Sequence, residues 1–269
     1  MENINKSPFI IEMIRTTANM YRLGWDERNS GNISCLLKET DLERYSLKKE
    51  IRNFPLSIDA KTLAGKFFIV TGTGKYFKNI QYEPEENLGI LRISDDGKSA
   101  CLLWGFSGGA SPTSEFSVHL MCHIARLKTN PSNRIIMHAH PSNLLAMTFV
   151  HSIDEKEFTR TLWQHCIEGI IVFPEGIAVL PWMLCGTEEI AEATAKKMDS
   201  FSLVVWTQHG IFAAGSGLDE AFGLIETAEK AAEIYIKTAH LPQLNALSDE
   251  QIKALAEKWK VKYRKDWLF

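Results

Sequence analysis

The apolar runs of this chain come in close pairs, and the short segments between the members of each pair constrain the fold most strongly. Parallel neighbouring strands need a crossover of about a dozen residues or more, whereas a tight turn is enough for antiparallel neighbours. The short connecting segments therefore predict antiparallel strand pairs and exclude a doubly wound parallel sheet. The predicted pairs are residues 88–94 with 99–106, 169–173 with 177–180, and 203–206 with 211–214.

Segments with apolar residues at helical spacing lie between and around these runs. The first begins at Ser7-Pro8, where proline suits the first helical position, and ends at Gly24. Further strands are predicted at residues 33–37 and 66–70, whereas residues 38–62 are polar and irregular and receive no assignment. The sequence thus predicts a mixed, largely antiparallel sheet flanked by helices. The other predicted helices cover residues 114–126, 143–150, 157–165, 187–198, 218–240 and 248 to about 258.

Length and composition indicate an ordinary globular chain. Its 269 residues, of which 45% are hydrophobic and 23% charged, suffice for one large domain with a substantial core. We therefore predict a single domain over residues 1–269, with a C-terminal helical tail at about 241–269. The basic and aromatic end of this tail is expected to pack on the body of the protein or on a neighbouring molecule.

Charge and hydropathy narrow the classes of partner. The formal net charge of −3 and the pI near 6.3 give no broad basic field, which disfavours nucleic acid. No apolar run approaches the roughly 20 residues that span a bilayer, and the N-terminus lacks a signal-peptide arrangement. We expect a cytoplasmic protein without a membrane partner. The cysteines are scattered singly, which predicts reduced and mostly buried thiols at Cys35, Cys101, Cys122, Cys166 and Cys185.

Two histidines separated by one residue follow the apolar residues 135–137. Side chains alternate between the faces of a strand, so His138 and His140 point to the same side, where both imidazoles can reach one ion. His209 follows the predicted strand 203–206 and precedes Gly210, which leaves the backbone free to turn. Together the three histidines would form a metal site with an open coordination position, as catalytic zinc sites have. The alternatives are a chance pairing at a strand end and a hydrogen-bonded turn histidine.

Two further segments have features of an anion-binding site. Residues 111–115 read Ser-Pro-Thr-Ser-Glu, a helix N-terminus whose free N–H groups and the hydroxyls of Thr113 and Ser114 could hold a phosphate. Glu115 could serve there as a general base. Residues 71–75 read Thr-Gly-Thr-Gly-Lys, and the two glycines allow backbone N–H groups to approach a ligand closely. The alternatives are a conventional capped helix and a simple turn.

A rival metal site lies on a single helix. Glu115, His119 and His123 are spaced four residues apart and share one stripe of the predicted helix. One helix rarely supplies three converging ligands without a second element. We therefore expect His119 and His123 to be interior or interface residues.

The order of these motifs resembles that of the class II sugar-phosphate aldolases of the aldolase/adducin superfamily, over nearly the whole chain. The length and the segments 24–29, 173–176 and 180–183 are similar to those of members that act on L-rhamnulose 1-phosphate. The resemblance implies a three-layer α/β/α fold with a central, largely antiparallel mixed sheet. The motifs that carry it are Gly31-Asn32, Thr-Gly-Thr73-Gly74, Pro-Thr-Ser-Glu115, His138-Ala-His140 and Gln-His209-Gly.

The resemblance also implies roles for single residues. One Zn2+ ion per subunit would be held by His138, His140 and His209, with Glu115 as catalytic base and as a possible ligand when no substrate is bound. Glu168 matches a catalytic carboxylate that family members contribute from a neighbouring subunit of a homotetramer, whose active sites lie at subunit boundaries. The residues implied in phosphate binding are Asn29, Asn32, Thr73, Gly74, Thr113 and Ser114, with Thr73 in place of a serine.

The implied reaction is the zinc-dependent, reversible retro-aldol cleavage of L-rhamnulose 1-phosphate to dihydroxyacetone phosphate and L-lactaldehyde, a step of rhamnose catabolism. Zinc would act as the electron sink in place of a lysine Schiff base, and Glu115 would protonate the carbanion. Glu168 or a water would assist at the C4 hydroxyl. The alternatives are cleavage or 4-epimerisation of fuculose or ribulose phosphate, and a non-catalytic adducin-like interaction module, which differs from this chain at the metal positions.

Overall fold

The computed structural model describes residues 2–47 and 50–268 of the chain. Its strands are β1 Asn32–Leu37, β2 Arg52–Pro55, β3 Phe67–Thr71, β4 Leu88–Ile93, β5 Ser99–Gly105, β6 Ile135–Ala139, β7 Ala178–Leu180, β8 Leu203–Trp206 and β9 Gly210–Gly215. They form one nine-stranded sheet in the order β2-β5-β4-β3-β1-β6-β9-β8-β7. The strands β1 and β6 therefore lie at the centre of the sheet.

Helices cover both faces of this sheet. They are α1 Pro8–Leu23, α2 Glu39–Leu42, α3 Phe77–Ile80, α4 Pro84–Asn87, α5 Phe116–Thr129, α6 Ser142–Val150, α7 Glu155–His165, α8 Gly169–Val172, α9 Glu188–Met198, α10 Leu218–Thr238 and α11 Asp249–Trp259. Helices α5 and α9 pack together on one face, and α10 packs with α1 and α6 on the opposite face. The predicted sheet flanked by helices is confirmed.

The strand pairings confirm a mixed and largely antiparallel sheet. All neighbouring strands run antiparallel except β7 and β8, which are parallel. The hairpins predicted around residues 95–97 and 208–210 correspond to β4–β5 and β8–β9. The segment 38–62, which received no assignment, contributes α2 and the edge strand β2.

One predicted strand pair is wrong. Residues 169–173 do not form a strand beside 177–180: Gly169–Val172 is the helix α8, and β7 pairs in parallel with β8 after α9 has crossed over. The N–H of Phe173 donates to the carbonyl of Gly169 and closes the helical turn. A short apolar run has no periodicity that distinguishes a buried helical turn from a strand, so the sequence pattern could not separate the two.

The first helix has the predicted ends, for local reasons. The Ser7 hydroxyl accepts a hydrogen bond from the Ile10 N–H, which satisfies one free donor of the first turn. Gly24 ends the helix with φ of 72°, a left-handed conformation that suits glycine. The loop that follows leads directly into β1 and carries several residues of the cavity described below.

The central strand pair decides which side chains face α5. Asn32 of β1 stands opposite His138 of β6, and Ser34 stands opposite Ile136. Because directly opposed residues lie on one face and alternate residues share a face, these four side chains point the same way. Ser34 contacts the histidines of α5 on that face. Polar side chains of the strand pair and of the helix are therefore brought together inside the protein.

The C-terminal tail packs on the body in its described part. Trp267 is largely buried, with its ring 6.4 Å from that of Trp163 and 6.1 Å from that of Phe201. Phe269, which belongs to the same predicted tail, lies outside the described residues. No helix in the described ranges has both the length and the apolar character that crossing a membrane requires.

The prediction of mostly buried thiols is wrong. All five cysteines are free, but only Cys35 and Cys122 are buried. Cys101 and Cys166 are partly exposed, and Cys185 is exposed in the segment between β7 and α9. Single, scattered cysteines indicate the absence of a disulfide framework, but they do not determine depth in the fold.

Asp26, in the loop after α1, is an unusual buried acid. Its side chain is almost fully buried, and neither carboxyl oxygen makes a hydrogen bond of normal geometry within the described structure. Burial and the neighbouring charge of Glu27 raise the pKa of Asp26 to about 7, and a contact with the Phe77 backbone N–H offsets only part of this rise. The ionised form of Asp26 therefore costs stability.

We expect Asp26→Asn to stabilise the protein progressively as pH rises. The folded-state pKa of Asp26 lies above the ordinary 3.8, so the folded state retains this proton and stability is lost as pH rises from about 4 to about 7. Asparagine cannot ionise, so its gain over the wild type should grow by about 1–2 kcal/mol, or roughly 2–6 °C in Tm, between about pH 5 and pH 8 after allowing for solvent screening. Thermal unfolding at several pH values measures this gain. A pH-independent difference, or the same trend in the exposed control Asp199→Asn, would contradict the assignment.

Candidate metal centre and active site

The three predicted histidines meet at one end of the central strands. His138 is the penultimate residue of β6, His140 follows the strand, and His209 lies in the turn between β8 and β9. Strands β6 and β9 are paired neighbours, which brings the turn beside the end of β6. The Nε2 atom of His138 lies 3.1 Å from that of His140 and 3.4 Å from that of His209. Within the described ranges, these residues form the only group of three side chains of metal-ligand type that converge in this way.

The second ring nitrogen of each histidine has its own partner. His138 Nδ1 lies 3.1 Å from the carbonyl oxygen of Ile211, so it donates there and its Nε2 carries a lone pair. His140 Nδ1 lies 2.9 Å from Glu27 Oε1, and His209 Nδ1 lies 2.6 Å from Cys185 Sγ. Partners at Nδ1 hold ring orientation and tautomer, as they do around metal-bound histidines. The Nε2 atoms of the three rings converge, so the residues fit a divalent metal ion.

The electrostatics of the cluster favour the metal-binding form of imidazole. Burial lowers the pKa of His138 well below its ordinary value, and the neighbouring His140 and His209 lower it further. Burial and His140 lower the pKa of His209 to about 4. Partial burial opposes ionisation of Glu27, but the hydrogen bond from His140 brings the net pKa of this carboxyl below its ordinary value. Near neutral pH the imidazoles of His138 and His209 are therefore uncharged, and Glu27 is a carboxylate.

Glycine at position 210 is required for space and not for the turn that the sequence predicts there. A Cβ on Gly210 would lie 2.7 Å from His140 Cδ2 and 2.9 Å from His138 Cε1. The left-handed residue of the turn is Gln208, with φ of 63°. The absence of a side chain at residue 210 thus lets β9 approach the histidine rings closely.

The chain after His140 is held by a carboxylate from α10. Glu229 Oε2 accepts the N–H of Leu144 at 2.8 Å, and its Oε1 accepts the N–H of Asn143 at 3.0 Å. These donors lie in the first turn of α6, whose N–H groups have no partner within the helix. Glu229 therefore anchors the helix that begins two residues after His140.

Glu115 faces the histidine cluster from the start of α5. The helix begins at Phe116 and not at residue 114 as predicted, and Glu115 is its N-cap residue without using its side chain as a cap. Its Oε2 accepts a hydrogen bond from Asn32 Nδ2 at 2.9 Å and lies 3.8 Å from His138 Nε2. Burial raises the pKa of Glu115, although the hydrogen bond from Asn32 opposes this rise. A buried carboxyl with a raised pKa is suited to proton transfer.

A polar cavity of about 190 Å³ opens over these groups. It contains every site residue predicted from the sequence except Glu168. It also includes Gly31 and Gly72, which belong to two of the sequence motifs, and Ser30, which the sequence analysis did not single out. The lining residues are Asn29, Ser30, Gly31, Asn32, Gly72, Thr73, Gly74, Thr113, Ser114, Glu115, His138, His140 and His209.

Two loops form the wall of the cavity away from the histidines. The N–H of Thr73 donates to the carbonyl of Ser111, and the N–H of Thr113 donates to the carbonyl of Thr71, so backbone bonds tie the loops together. The Thr113 hydroxyl accepts the N–H of Glu115 at 3.3 Å, which leaves its own proton for another acceptor. Gly74 has φ of 69°, as a tight turn of this kind requires. The wall thus presents hydroxyl and backbone donors of the kind that anions bind.

The structure does not bring Glu168 into this cavity within the same chain. Glu168 is exposed at the start of α8, where it accepts a hydrogen bond from Cys166 Sγ at 3.2 Å. Its implied role concerned a neighbouring subunit and stays a prediction.

The rival site on α5 is replaced by another arrangement, because His119 and His123 are buried and both contact Ser34. Sequence reasoning missed Glu27 and Cys185, since nothing in their local pattern connects them with His140 and His209.

Comparisons with known proteins agree on one family. A sequence profile described as "Class II Aldolase and Adducin N-terminal domain" matches residues 11–236. The rhamnulose-1-phosphate aldolase of Listeria monocytogenes serotype 4b (strain CLIP80459) is 53% identical over 269 residues, covering 99% of this chain and 98% of the relative. That of Enterococcus faecalis (strain ATCC 700802 / V583) is 54% identical over 257 residues, covering 95% and 92%. The solved sugar-phosphate aldolase from Thermotoga maritima has a TM-score of 0.75 at 30% identity, covering 87% of this chain and 96% of that one.

We expect Glu27→Ala to weaken metal binding without unfolding the protein. Glu27 is an exposed carboxylate that orients His140 through Nδ1, and loss of such a partner lowers metal affinity by about 10-fold to 100-fold. Competition with a chromogenic chelator measures the affinity of wild type and variant for zinc. The exposed carboxylate Glu12 lies outside the cavity, so Glu12→Ala is the matched control and should bind as the wild type does. Equal affinity of Glu27→Ala and wild type would rule out the orienting role.

Proposed function

We infer that this chain, which belongs to the class II aldolase and adducin family, is a lyase that cleaves L-rhamnulose 1-phosphate to dihydroxyacetone phosphate and L-lactaldehyde. The observation that carries the proposal is one cavity that combines three converging imidazoles, a buried carboxyl and a wall of hydroxyl and backbone donors. Relatives named rhamnulose-1-phosphate aldolase match nearly the whole chain, which supports this substrate over other sugar phosphates.

The metal is proposed to be zinc. His138, His140 and His209 would hold it, since three histidines are a common donor set for catalytic zinc. When bound, the ion would supply Lewis-acid chemistry by polarising the substrate carbonyl and stabilising negative charge on oxygen. The carboxylate of Glu27 and the thiol of Cys185 would keep two of these rings oriented.

The phosphate of the substrate is proposed to bind at the two-loop wall. Hydroxyls of Thr73, Thr113 and Ser114 and the backbone at Gly74 belong to these loops, and the amide of Asn29 also lines the cavity. Asn32 also lines the cavity, but its side-chain amide contacts Glu115 and His119, so we propose that any phosphate contact of this residue uses its backbone. Fixing the phosphate at this wall would orient the carbon chain toward Glu115 and the histidines.

Glu115 is proposed to move the proton at C3. Cleavage of the C3–C4 bond leaves the electron pair on the C2–C3 unit, and Glu115 in its protonated form returns a proton to C3 to give dihydroxyacetone phosphate. In the synthetic direction the carboxylate removes that proton. The C4 hydroxyl releases its proton as the aldehyde forms, with Glu168 of a neighbouring subunit or a water as the acceptor. The burial of Glu115 supports this assignment, because burial raises the pKa of its carboxyl toward the range in which one group can act as acid and as base.

A homotetramer formed by single-domain subunits is proposed as the working enzyme. One nine-stranded sheet takes strands from residues 32 to 215, which supports a single domain over residues 1–269 with a tail at about 241–269. Phe149, Trp182 and Leu184 are large exposed apolar side chains near the elements that carry the site, and they support a subunit interface there.

We propose the cytoplasm as location and rhamnose catabolism as setting, because a charged phosphate ester does not cross a membrane unaided.

The nearest rival functions use the same scaffold. Cleavage of fuculose phosphate or 4-epimerisation of ribulose phosphate would need the same metal and phosphate groups and would differ only in the contacts to the distal carbons. An adducin-like interaction module would need neither the converging imidazoles nor Glu115, so these residues favour an enzyme.

A panel of ketose 1-phosphates with product identification tests the assigned reaction. We expect zinc-loaded protein to release dihydroxyacetone phosphate and L-lactaldehyde from L-rhamnulose 1-phosphate faster than it cleaves or epimerises the fuculose and ribulose phosphates. Removal of the metal by a chelator should abolish cleavage, and addition of zinc should restore it, because the site's electrophile is lost and regained. Faster turnover of another sugar phosphate would overturn the substrate assignment, and full activity after metal removal would overturn the metal assignment.

Replacement of Glu115 by glutamine tests the proton-transfer role. The amide keeps the shape and a hydrogen-bond acceptor for Asn32 but cannot exchange a proton at C3. We expect kcat to fall by about 100-fold to 10,000-fold, with near-normal zinc content. Steady-state kinetics and metal analysis on the same preparation give both quantities. Turnover close to that of the wild type would remove Glu115 from the mechanism.

A further inference from the structure

A continuous chain of buried polar side chains runs from Glu115 away from the cavity. Asn32 Nδ2 contacts Glu115 at 2.9 Å, and the other end of the Asn32 amide, Oδ1, contacts His119 Nε2. The Ser34 hydroxyl lies 2.7 Å from His119 Nδ1 and 2.8 Å from His123 Nε2. All five side chains are buried or nearly so. The proposed mechanism uses only the first of them, so the purpose of the other four is open.

This row of buried side chains can form because the spacing of alternate residues on a strand matches the spacing of every fourth residue on a helix. Asn32 and Ser34 are two residues apart on β1 and share a face, with a rise of roughly 6.7 Å between them. Glu115, His119 and His123 are four residues apart along α5, with a rise of roughly 6 Å at each step. The two polar stripes therefore match in spacing, and the side chains alternate between strand and helix along the chain.

While Glu115 is ionised, the hydrogen bonds along these side chains can run in only one donor-to-acceptor direction. A carboxylate accepts only, so Asn32 must present its N–H group to Glu115 and its oxygen to His119. His119 then carries its proton on Nε2 and accepts at Nδ1 from the Ser34 hydroxyl. Ser34 has a single proton, so it must accept from His123 Nε2. The donors run from His123 through Ser34, His119 and Asn32 to Glu115.

Burial keeps both histidines of the chain neutral, which makes this assignment unique. Burial lowers the pKa of His119 well below its ordinary value, and it lowers the pKa of His123 to about 3. Each ring therefore has one proton near neutral pH and cannot donate from both nitrogens. The reverse direction would turn the oxygen of Asn32 against the oxygen of Glu115 and leave two acceptors facing each other.

We propose that Ser34, His119 and His123 are positioning residues that lock the Asn32 amide with its N–H toward Glu115 and thereby fix the carboxylate for proton transfer at C3. The proposal rests on the proposed aldolase function for the identity of that proton. None of the three residues touches the substrate cavity. Without the Ser34 hydroxyl, the ring of His119 can take the other tautomer, the amide of Asn32 can rotate, and Glu115 loses its fixed partner.

The test is Ser34→Ala in the zinc-loaded enzyme, read as exchange of the C3 proton of dihydroxyacetone phosphate with D2O in the absence of aldehyde. Proton NMR follows this half-reaction directly. We expect the maximal exchange rate to fall by about 10-fold to 100-fold, the usual scale for a misplaced catalytic group, with unchanged zinc content and unchanged KM for dihydroxyacetone phosphate. Ser34→Thr, which keeps the hydroxyl, should restore most of the rate.

A matched control separates positioning from general loss of stability. Thr17 is also fully buried, and its hydroxyl donates to the Met13 carbonyl at 2.8 Å in α1, without a link to Glu115. Thr17→Val should exchange as the wild type does. The proposal is overturned if folded, zinc-loaded Ser34→Ala exchanges at the wild-type rate, if zinc loss accounts for its deficit, or if Thr17→Val shows the same deficit.

Neutron diffraction on the deuterated, zinc-loaded protein tests the proton direction without any activity measurement. We expect deuterium on His123 Nε2 and on His119 Nε2. We also expect the deuterated amino group of the Asn32 side chain to point toward Glu115. Deuterium on His119 Nδ1 would overturn the proposal, whatever the substrate is. The two proposals also fail separately: a wild type that releases no L-lactaldehyde defeats the proposed function, whereas normal cleavage with unaffected exchange in Ser34→Ala defeats only the positioning role.

Discussion

The register between β1 and β6 is the constraint on which the rest of the site depends. It sets Asn32 opposite His138 and Ser34 opposite Ile136, with all four side chains on the face that α5 covers. A slip of β1 by one residue would turn Asn32 and Ser34 to the other face of the sheet. Glu115 would then lose its hydrogen bond from Asn32, and His119 and His123 would lose their contacts with Ser34. One backbone ladder thus serves the chemistry on both sides of Glu115.

Aromatic side chains pack against the buried imidazoles of the site and affect their protonation. Phe212 stacks on the His138 ring at a centroid distance of 4.3 Å, and Phe68 lies 5.0 Å from the ring of His123. Imidazoles packed against aromatic rings resist protonation, because a charge there has no water to stabilise it. The same burial requires every polar atom to find a partner within the protein. Hydrogen-bonded side chains on a strand pair and a helix make a more rigid base for the site than loops would.

The substrate-facing loops have the opposite character. Asn29, Thr73 and Gly74 are exposed, and Thr73 is held through its backbone N–H, which donates to the carbonyl of Ser111. The cavity therefore has a rigid floor, made by Glu115 and the histidines, and a more accessible wall of hydroxyl and amide groups. Strands and helix would fix the reacting groups, while the loops remain open to a phosphorylated ligand. This division is common where a scaffold supports function through its connecting segments.

The sequence by itself determined what depends on local chemistry. Strand alternation put His138 and His140 on one side, short returns gave the antiparallel hairpins β4–β5 and β8–β9, and the residue types indicated a metal centre beside an anion site. The same logic failed at α8, where a run too short to show a period was read as a strand.

Only the tertiary structure decided which distant residues meet. Glu27 and Cys185 contact ring nitrogens of His140 and His209 from distant parts of the chain. Ser34 of β1 contacts His119 of α5 across a similarly long stretch of sequence. Their distances follow from how the loops return and how α5 packs on the sheet, and no local pattern encodes either of these. For that reason the residue types predicted a metal site and a base, whereas the fold alone assigned Ser34, His119 and His123 their places behind it.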